Sequence, residues 1–263
     1  MAIRARAAFT AAASMATVAL VAMIASGCGS SGGSSTTSVA APSSASQLAP
    51  IQGKYSPTID PSNFVTTIDN KYWPLKPGTT YHYKGVRGTT PQTDNETVTN
   101  QTRNIIGVAS TAVRDVVSEH GKPVERTLDY YAQDKQGNVW YMGEDSFETN
   151  AQGKMVRASD SWLAGVKGGE PGIIMPSDPR PGDAYRQEYY PPGEALDEAR
   201  VLSLKGKTTV PYGGKHTGLL VTSERSPLEP QTEQKYYSPG LGEVMEKVVK
   251  GHHEQFRLVG VTP

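Results

Sequence analysis

Val124-Glu125-Arg126-Thr127-Leu128-Asp129-Tyr130-Tyr131-Ala132 carries a period of two. Val124, Leu128, Tyr130 and Ala132 form an apolar row that Arg126 breaks, and Glu125, Thr127, Asp129 and Tyr131 fall between them. Successive side chains of a strand point to opposite faces, so the alternation reads as a strand. Phe256 and Leu258 alternate with Gln255 and Arg257 in the same way. Other β-branched or aromatic runs occupy residues 64–68, 79–86, 104–108, 112–118, 138–142, 184–190, 219–223, 235–238 and 243–249. Turn signals separate them: His120-Gly121, Gln136-Gly137-Asn138, Gln152-Gly153, Gly213-Gly214 and Lys250-Gly251. The pattern predicts a mainly β fold. It should be a single antiparallel β-barrel or β-sandwich-like domain with one wet side, long Gly/Pro-rich loops and little helix. Only residues 194–203, after Pro191-Pro192-Gly193, read as a short helix.

Residues 165–193 are rich in Gly and Pro, and only Ile173-Ile174-Met175 gives them an apolar stretch. Long structured loops are often functional. The plainer reading is a stiff connection pinned to the core by Ile173, Ile174 and Met175.

Composition narrows the partners. Among 263 residues, 26 Lys+Arg balance 26 Asp+Glu. No net field attracts a phosphate backbone, so nucleic acid is not an expected partner. The single cysteine excludes a disulfide framework and a Cys-based zinc site.

The start of the chain has the layout of an export signal. Arg4 and Arg6 precede an uncharged run from Ala7 to Ile24, and small residues lead to Cys28. Ala25-Ser26-Gly27-Cys28 resembles the lipobox of bacterial lipoproteins, with Ala25 in place of the usual Leu. The resemblance implies cleavage before Cys28, a diacylglyceryl thioether on its sulfur and acylation of its new amine. More than one acyl chain is needed for durable attachment. The expected organisation is a signal peptide over 1–27, a flexible Ser/Gly/Ala-rich tether over 28–58 and a β-rich extracytoplasmic domain over 59–263. Residues 29–53 hold no charge, and such a stretch cannot offset its ordering entropy by burial. The implied location is extracytoplasmic, lipid-anchored to a bacterial cell membrane.

A second resemblance rests on strand and turn motifs. Tyr72-Trp73-Pro74-Leu75-Lys76-Pro77-Gly78-Thr79-Thr80-Tyr81, Thr209-Val210-Pro211-Tyr212-Gly213 with Gly218-Leu219-Leu220-Val221-Thr222, and Lys235-Tyr236-Tyr237-Ser238-Pro239-Gly240-Leu241-Gly242 resemble segments of a group of exported bacterial β-proteins of unknown function. Tyr212 and His216 depart from the residues usual there. The likeness spans about residues 63–261 and implies a fold, with no catalytic residue carried over.

Chemical candidates are sparse. His252-His253 are adjacent, and neighbours on a strand face opposite ways, so they read as a solvated turn. No His spacing suits a metal, and Asp134-Lys135-Gln136-Gly137-Asn138 reads as a hairpin turn rather than a calcium loop. Lys205-Gly206-Lys207 reads as a turn. No nucleophile elbow or phosphate loop occurs, so no catalytic residue, metal or cofactor is assigned. Aromatic and charged residues around the Gly/Pro-rich segment remain as a candidate ligand surface: Trp140, Glu144, Trp162, Tyr185, Arg186, Glu188 and Tyr189. The resulting reading is an envelope ligand-binding or accessory module, with a small molecule, glycan or envelope protein as partner. The alternatives are an assembly factor paired with another envelope protein and a glycan hydrolase using two cleft carboxylates.

Overall fold

The computed structural model describes residues 44–263. A short helix, Ser44–Leu48 (α1), and a one-turn 3-10 helix at Pro61–Asn63 precede Phe64–Val65 (β1) and the hairpin of Ile68–Asn70 (β2) with Trp73–Leu75 (β3). A meander of long strands follows: Thr80–Arg87 (β4), Thr90–Ile105 (β5), Val108–Glu119 (β6), Lys122–Asp134 (β7) and Val139–Thr149 (β8). Short strands cross the Gly/Pro-rich region: Met155–Arg157 (β9), Glu170–Met175 (β10), Ala184–Arg186 (β11) and Glu188–Tyr189 (β12). A second meander completes the chain: Glu198–Val210 (β13), Gly214–Arg225 (β14), Thr232–Ser238 (β15), Gly242–Lys250 (β16) and Glu254–Thr262 (β17).

The two meanders are one antiparallel sheet, because β17 pairs with β4. At one end β11 pairs with β13, and at the other β12 pairs with β10, which pairs with β8. Only Gln187 separates β11 from β12. A single extended segment therefore holds both ends of the sheet and nearly closes it into a barrel. The backbones meet closely at this seam. A Cβ on Gly172 would lie 2.2 Å from the Gln187 carbonyl oxygen, so the position requires glycine.

Residues 44–58 do not follow the tether expectation. Ala45 and Ala49 are buried, the Ala184 amide donates to Ser46 Oγ at 3.1 Å, and the Arg186 amide donates to the Ala49 carbonyl at 2.8 Å. Small side chains let α1 lie close on β11. Residues 28–43 of the expected tether, and residues 1–27, lie outside the described residues.

The inside of the sheet combines aliphatic and acidic side chains. Val98, Val117, Met142, Ile173, Ile174, Leu219, Leu220, Val244, Phe256 and Leu258 are buried together. Each large one contributes about 1.5–3 kcal/mol by leaving water. On β7, however, the polar row is the inner one from Glu125 to Asp129, and beyond the register shift at Tyr130 both rows are buried, Tyr130 and Ala132 included. Glu125, Thr127, Asp129 and Tyr131 are buried, Val124 and Leu128 are half-buried, and Arg126 is exposed. Buried Asp94, Asp115 and Glu144 on neighbouring strands extend the acidic lining, and Glu224, Glu233 and Glu246 repeat it in the second meander. A curled sheet of many strands encloses more space than its aliphatic residues fill.

Other expectations are corrected. Residues 194–203 form no helix. Pro191–Gly193 is a 3-10 turn, Glu194 takes a left-handed backbone, and β13 begins at Glu198, with Ala199 and Val201 buried against the sheet. Lys205-Gly206-Lys207 lies within β13 at a shift of register, not in a turn. Residues 104–108 are a hairpin end, with Ile106 at a positive φ and Gly107 beside it, rather than a strand. Residues 64–68 split between β1 and β2. The Asp134–Asn138 turn stands, closed by the Gly137 amide on the Asp134 carbonyl. Ile173, Ile174 and Met175 do pin the Gly/Pro-rich region to the core.

Lys235 is fully buried with its ammonium 3.3 Å from Glu224 and 3.4 Å from Glu246. Removing one partner from a buried ionic group strands the rest without water. Lys235→Met is expected to cost about 3–5 kcal/mol in urea unfolding, while Lys247→Met, at a half-buried site, should cost under about 1 kcal/mol.

Candidate functional site

The residues singled out in the sequence divide into separate groups. Arg186 and Tyr189 belong to the seam. Arg186 Nε donates to the Pro50 carbonyl at 2.9 Å and Nη2 to the Ile51 carbonyl at 2.8 Å. Its guanidinium lies over the rings of Tyr189 and Tyr55, at 5.0 and 5.6 Å. Arg186 is thus a peg that fixes residues 50–55 over the closure. Trp140 belongs to the β7–β8 hairpin, where Nε1 donates to Asp134 Oδ2 at 2.9 Å and the ring packs on Phe64. It borders a depression of about 280 Å3 with Leu48, Ile59 and Phe64.

Glu144, Trp162 and Glu188 are brought together. Trp162 Nε1 donates to Glu188 Oε2 at 2.8 Å. The Tyr141 hydroxyl sits 2.6 Å from Asp129 Oδ1 and 2.8 Å from Glu144 Oε2. A phenol has one proton, so bonding both carboxyls requires that one of them supply a proton of its own. Electrostatics point the same way. Burial, then the Asp115 charge, pushes Asp129 up to about 7. Burial, then the Glu188 charge, raises Glu144 well above the usual range, and burial with Asp197 beside it does the same to Glu188. Aromatic rings run through this interior: Tyr237 to Trp73 (5.9 Å), Trp73 to Tyr131 (5.5 Å), Tyr131 stacked on Tyr141 (5.0 Å) and Tyr141 to Trp162 (5.6 Å). Tyr185 lies on the second-meander side, fully buried. Burial and the Glu224 charge raise its phenol well above its ordinary value.

A raised pKa is one property of a glycosidic acid. Here, however, Glu144 shares protons with a buried phenol and Asp129, and Glu188 accepts from a buried indole. Their chemistry is proton sharing inside the fold. Nearby, Asp94, Glu96 and Asp115 place carboxylate oxygens within 4.8 Å of one another. Acid clusters of this kind are common without an ion, and none is assigned. Spacing along the chain could not reveal this grouping, because its members meet across the β5–β6 pairing.

An open site lies on the opposite face of the same strands. Asn95 and Thr97 from β5, Arg114 and Val116 from β6, Arg126 and Leu128 from β7, and Asp145 and Phe147 from β8 line a groove of about 600 Å3. That is the size of a small-molecule site. Register builds it: Thr97 pairs with Arg114, Arg114 with Leu128, Leu128 with Asp145, and Arg126 with Phe147. Asp145 is already occupied. Arg103 and Arg157 pair with its two oxygens, and the Tyr130 hydroxyl donates to it at 2.9 Å. Burial opposes its charge, but the Arg157 and Tyr130 hydrogen bonds and the Arg103 charge outweigh burial and hold it below the usual carboxylate range. Arg114 and Arg126 are exposed and have no ion pair among the described residues. The sequence reading missed this groove. Its signal was Arg126, the break in the apolar row.

No protein-family model and no curated protein match the chain. Two solved structures share its outline. One is a protein of Bacteroides fragilis described as exported, with a YMCC-like fold (TM-score 0.41, 9% identity, 74% of this chain and 100% of that one). The other is from Parabacteroides distasonis and is described as a lipoprotein (TM-score 0.37, 11% identity, 73% of this chain and 99% of that one). No helix among the described residues is long and apolar enough to cross a membrane.

The interior acids predict a pH dependence. Asp129, Glu144, Glu188 and Glu233 have pKa values raised on folding, so the folded state holds protons that the unfolded chain releases. Their contribution is complete below the unfolded carboxylate values of about 4 and is lost as pH rises through the folded values. Thermal unfolding midpoints should therefore fall between about pH 5 and pH 8. Asp129→Asn should flatten the part of the profile that ends near 7. A midpoint that rises over this interval would contradict the proton-sharing assignment.

Proposed function

We propose that this protein is an extracytoplasmic lipoprotein, held to the membrane through a lipid on Cys28, that serves as a ligand-binding or accessory module of the cell envelope. The lipobox-like Ala25-Ser26-Gly27-Cys28 and the uncharged stretch after it support the anchoring. The observation that carries the binding role is the groove over β5–β8. It is open, of ligand size, floored by Val116, Leu128 and Phe147, and flanked by two exposed arginines without carboxylate partners among the described residues. Buried Glu144 lies on β8, one of the strands that present the groove, and Trp162, Tyr185 and Glu188 lie on other segments of the interior.

Two measurements test the proposal. In detergent phase partitioning, the wild type should enter the detergent phase and Cys28→Ser should not. Equal partitioning would end the anchoring claim. Protein purified natively from its own membrane should carry a small molecule visible by mass spectrometry. Arg114→Gln/Arg126→Gln should lose it while keeping its unfolding midpoint. If the double variant carries the same species at the same occupancy, the groove is not the site.

A further inference from the structure

Resting on the reading of the groove as a ligand site, we infer that its occupant is an anionic phospholipid of the membrane to which the protein is attached. The phosphate is bound by Arg114 and Arg126, and the first methylenes of an acyl chain lie on Val116, Leu128 and Phe147.

The argument begins with register. Arg114 pairs with Leu128 across β6 and β7, and Val116 pairs with Arg126. The two arginines are therefore diagonal neighbours on one face, about 7–8 Å apart at their origins. Two long side chains from such positions can converge on one group between them. Guanidinium forks match phosphate oxygens in geometry and charge. The direct cross-strand partners of Arg114 and Arg126 are Leu128 and Val116, and Phe147 lies directly across from Arg126 on its other side. Charge and hydrocarbon thus alternate in a checkerboard within one groove.

Charge complementarity decides the sign of the ligand. Arg103, Arg114, Arg126 and Arg157 surround the groove, and Asp145 is the carboxylate among its lining residues. Because Asp145 is engaged by Arg103, Arg157 and Tyr130, the charge of Arg114 and Arg126 is available to a ligand. The acidic inner residues Asp115, Asp129 and Glu144 point to the other side of the strands.

The apolar floor decides the class. A small inorganic anion would leave Phe147 and the half-buried Val116 and Leu128 uncovered, whereas an amphiphile covers them. Asn95, whose Oδ1 is bonded to His82, and Thr97, bonded to Thr80, make the β5 side of the groove polar. A zwitterionic lipid would use the floor but bring a cation near the arginines, and an uncharged lipid would bring them no anion.

The test uses the full chain released in a non-ionic detergent. Native mass spectrometry would follow its binding of phosphatidylglycerol, phosphatidylcholine or glycerol 3-phosphate. Phosphatidylglycerol should be retained at least about tenfold more strongly than either of the others. Arg114→Gln/Arg126→Gln should lower its retention to the phosphatidylcholine level, with the unfolding midpoint unchanged. Leu128→Ser/Phe147→Ser should weaken phosphatidylglycerol but leave glycerol 3-phosphate as it was. Equal retention of the two lipids, or phosphatidylglycerol binding indifferent to the arginine change, overturns the inference. Glycerol 3-phosphate bound as strongly as the lipid, and lost with the arginines, also overturns it, while leaving the groove as a binding site for small anions. Arginine changes without effect on any ligand, including the natively bound species, remove both the inference and the reading beneath it.

Discussion

A carboxylate taken out of water must share a proton or meet a positive charge, and this requirement organises the inside of the sheet. Lys235 between Glu224 and Glu246 meets it by charge. Tyr141 between Asp129 and Glu144, and Glu188 beside Asp197, meet it by protons. The first arrangement lies on β14 to β16 and the second on β7, β8 and β12. Together they tie strands that are distant in the chain. An aliphatic core would have been simpler, but a nearly closed sheet of this width is not filled by the aliphatic residues available.

The same strands carry opposite chemistry on their two faces. Asp115 sits next to Arg114, Glu125 next to Arg126, and Glu144 next to Asp145. The inner acids are buried, with burial raising Glu144 well above the usual carboxylate range, and the outer arginines are exposed. Period two makes this separation possible, since a shift of one residue in register would exchange the faces. The acidic interior thereby presents a polar and apolar pattern outward on strands rather than on loops. A site on strands is held more closely than one on a loop, and this gives the groove its fixed spacing.

Closure depends on little sequence. The segment from Ala184 to Tyr189 holds both ends of the sheet, Gly172 lets Gln187 approach, and Arg186 fastens residues 50–55 on the outside. In the sequence Arg186 and Tyr189 read as ligand residues because aromatic and charged groups gather there. They gather because a seam between sheet ends needs packing and hydrogen bonds supplied from side chains.

From its local patterns alone, the chain specified many of its strands and several of its turns, but not most of β5 or β13. Alternation and Gly-containing punctuation act between near neighbours, so β4, β6, β7, β8, β14 and β17 were legible. The helix expected at residues 194–203 was not, because pairing of β13 with both β11 and β14 overrode a local preference. The resemblance of Ala25-Ser26-Gly27-Cys28 to a lipobox is likewise a local pattern, and it lies outside the described residues. Which row of β7 faced inward could not be read, since Val124 and Leu128 look continuous with the buried Tyr130 and Ala132 until the strands around them are known. Neither could the meeting of Glu144 with Trp162 and Glu188, nor the groove at Arg114 and Arg126. These are products of register between strands, and hydrogen bonding across a sheet sets register only once the whole sheet has curled and closed.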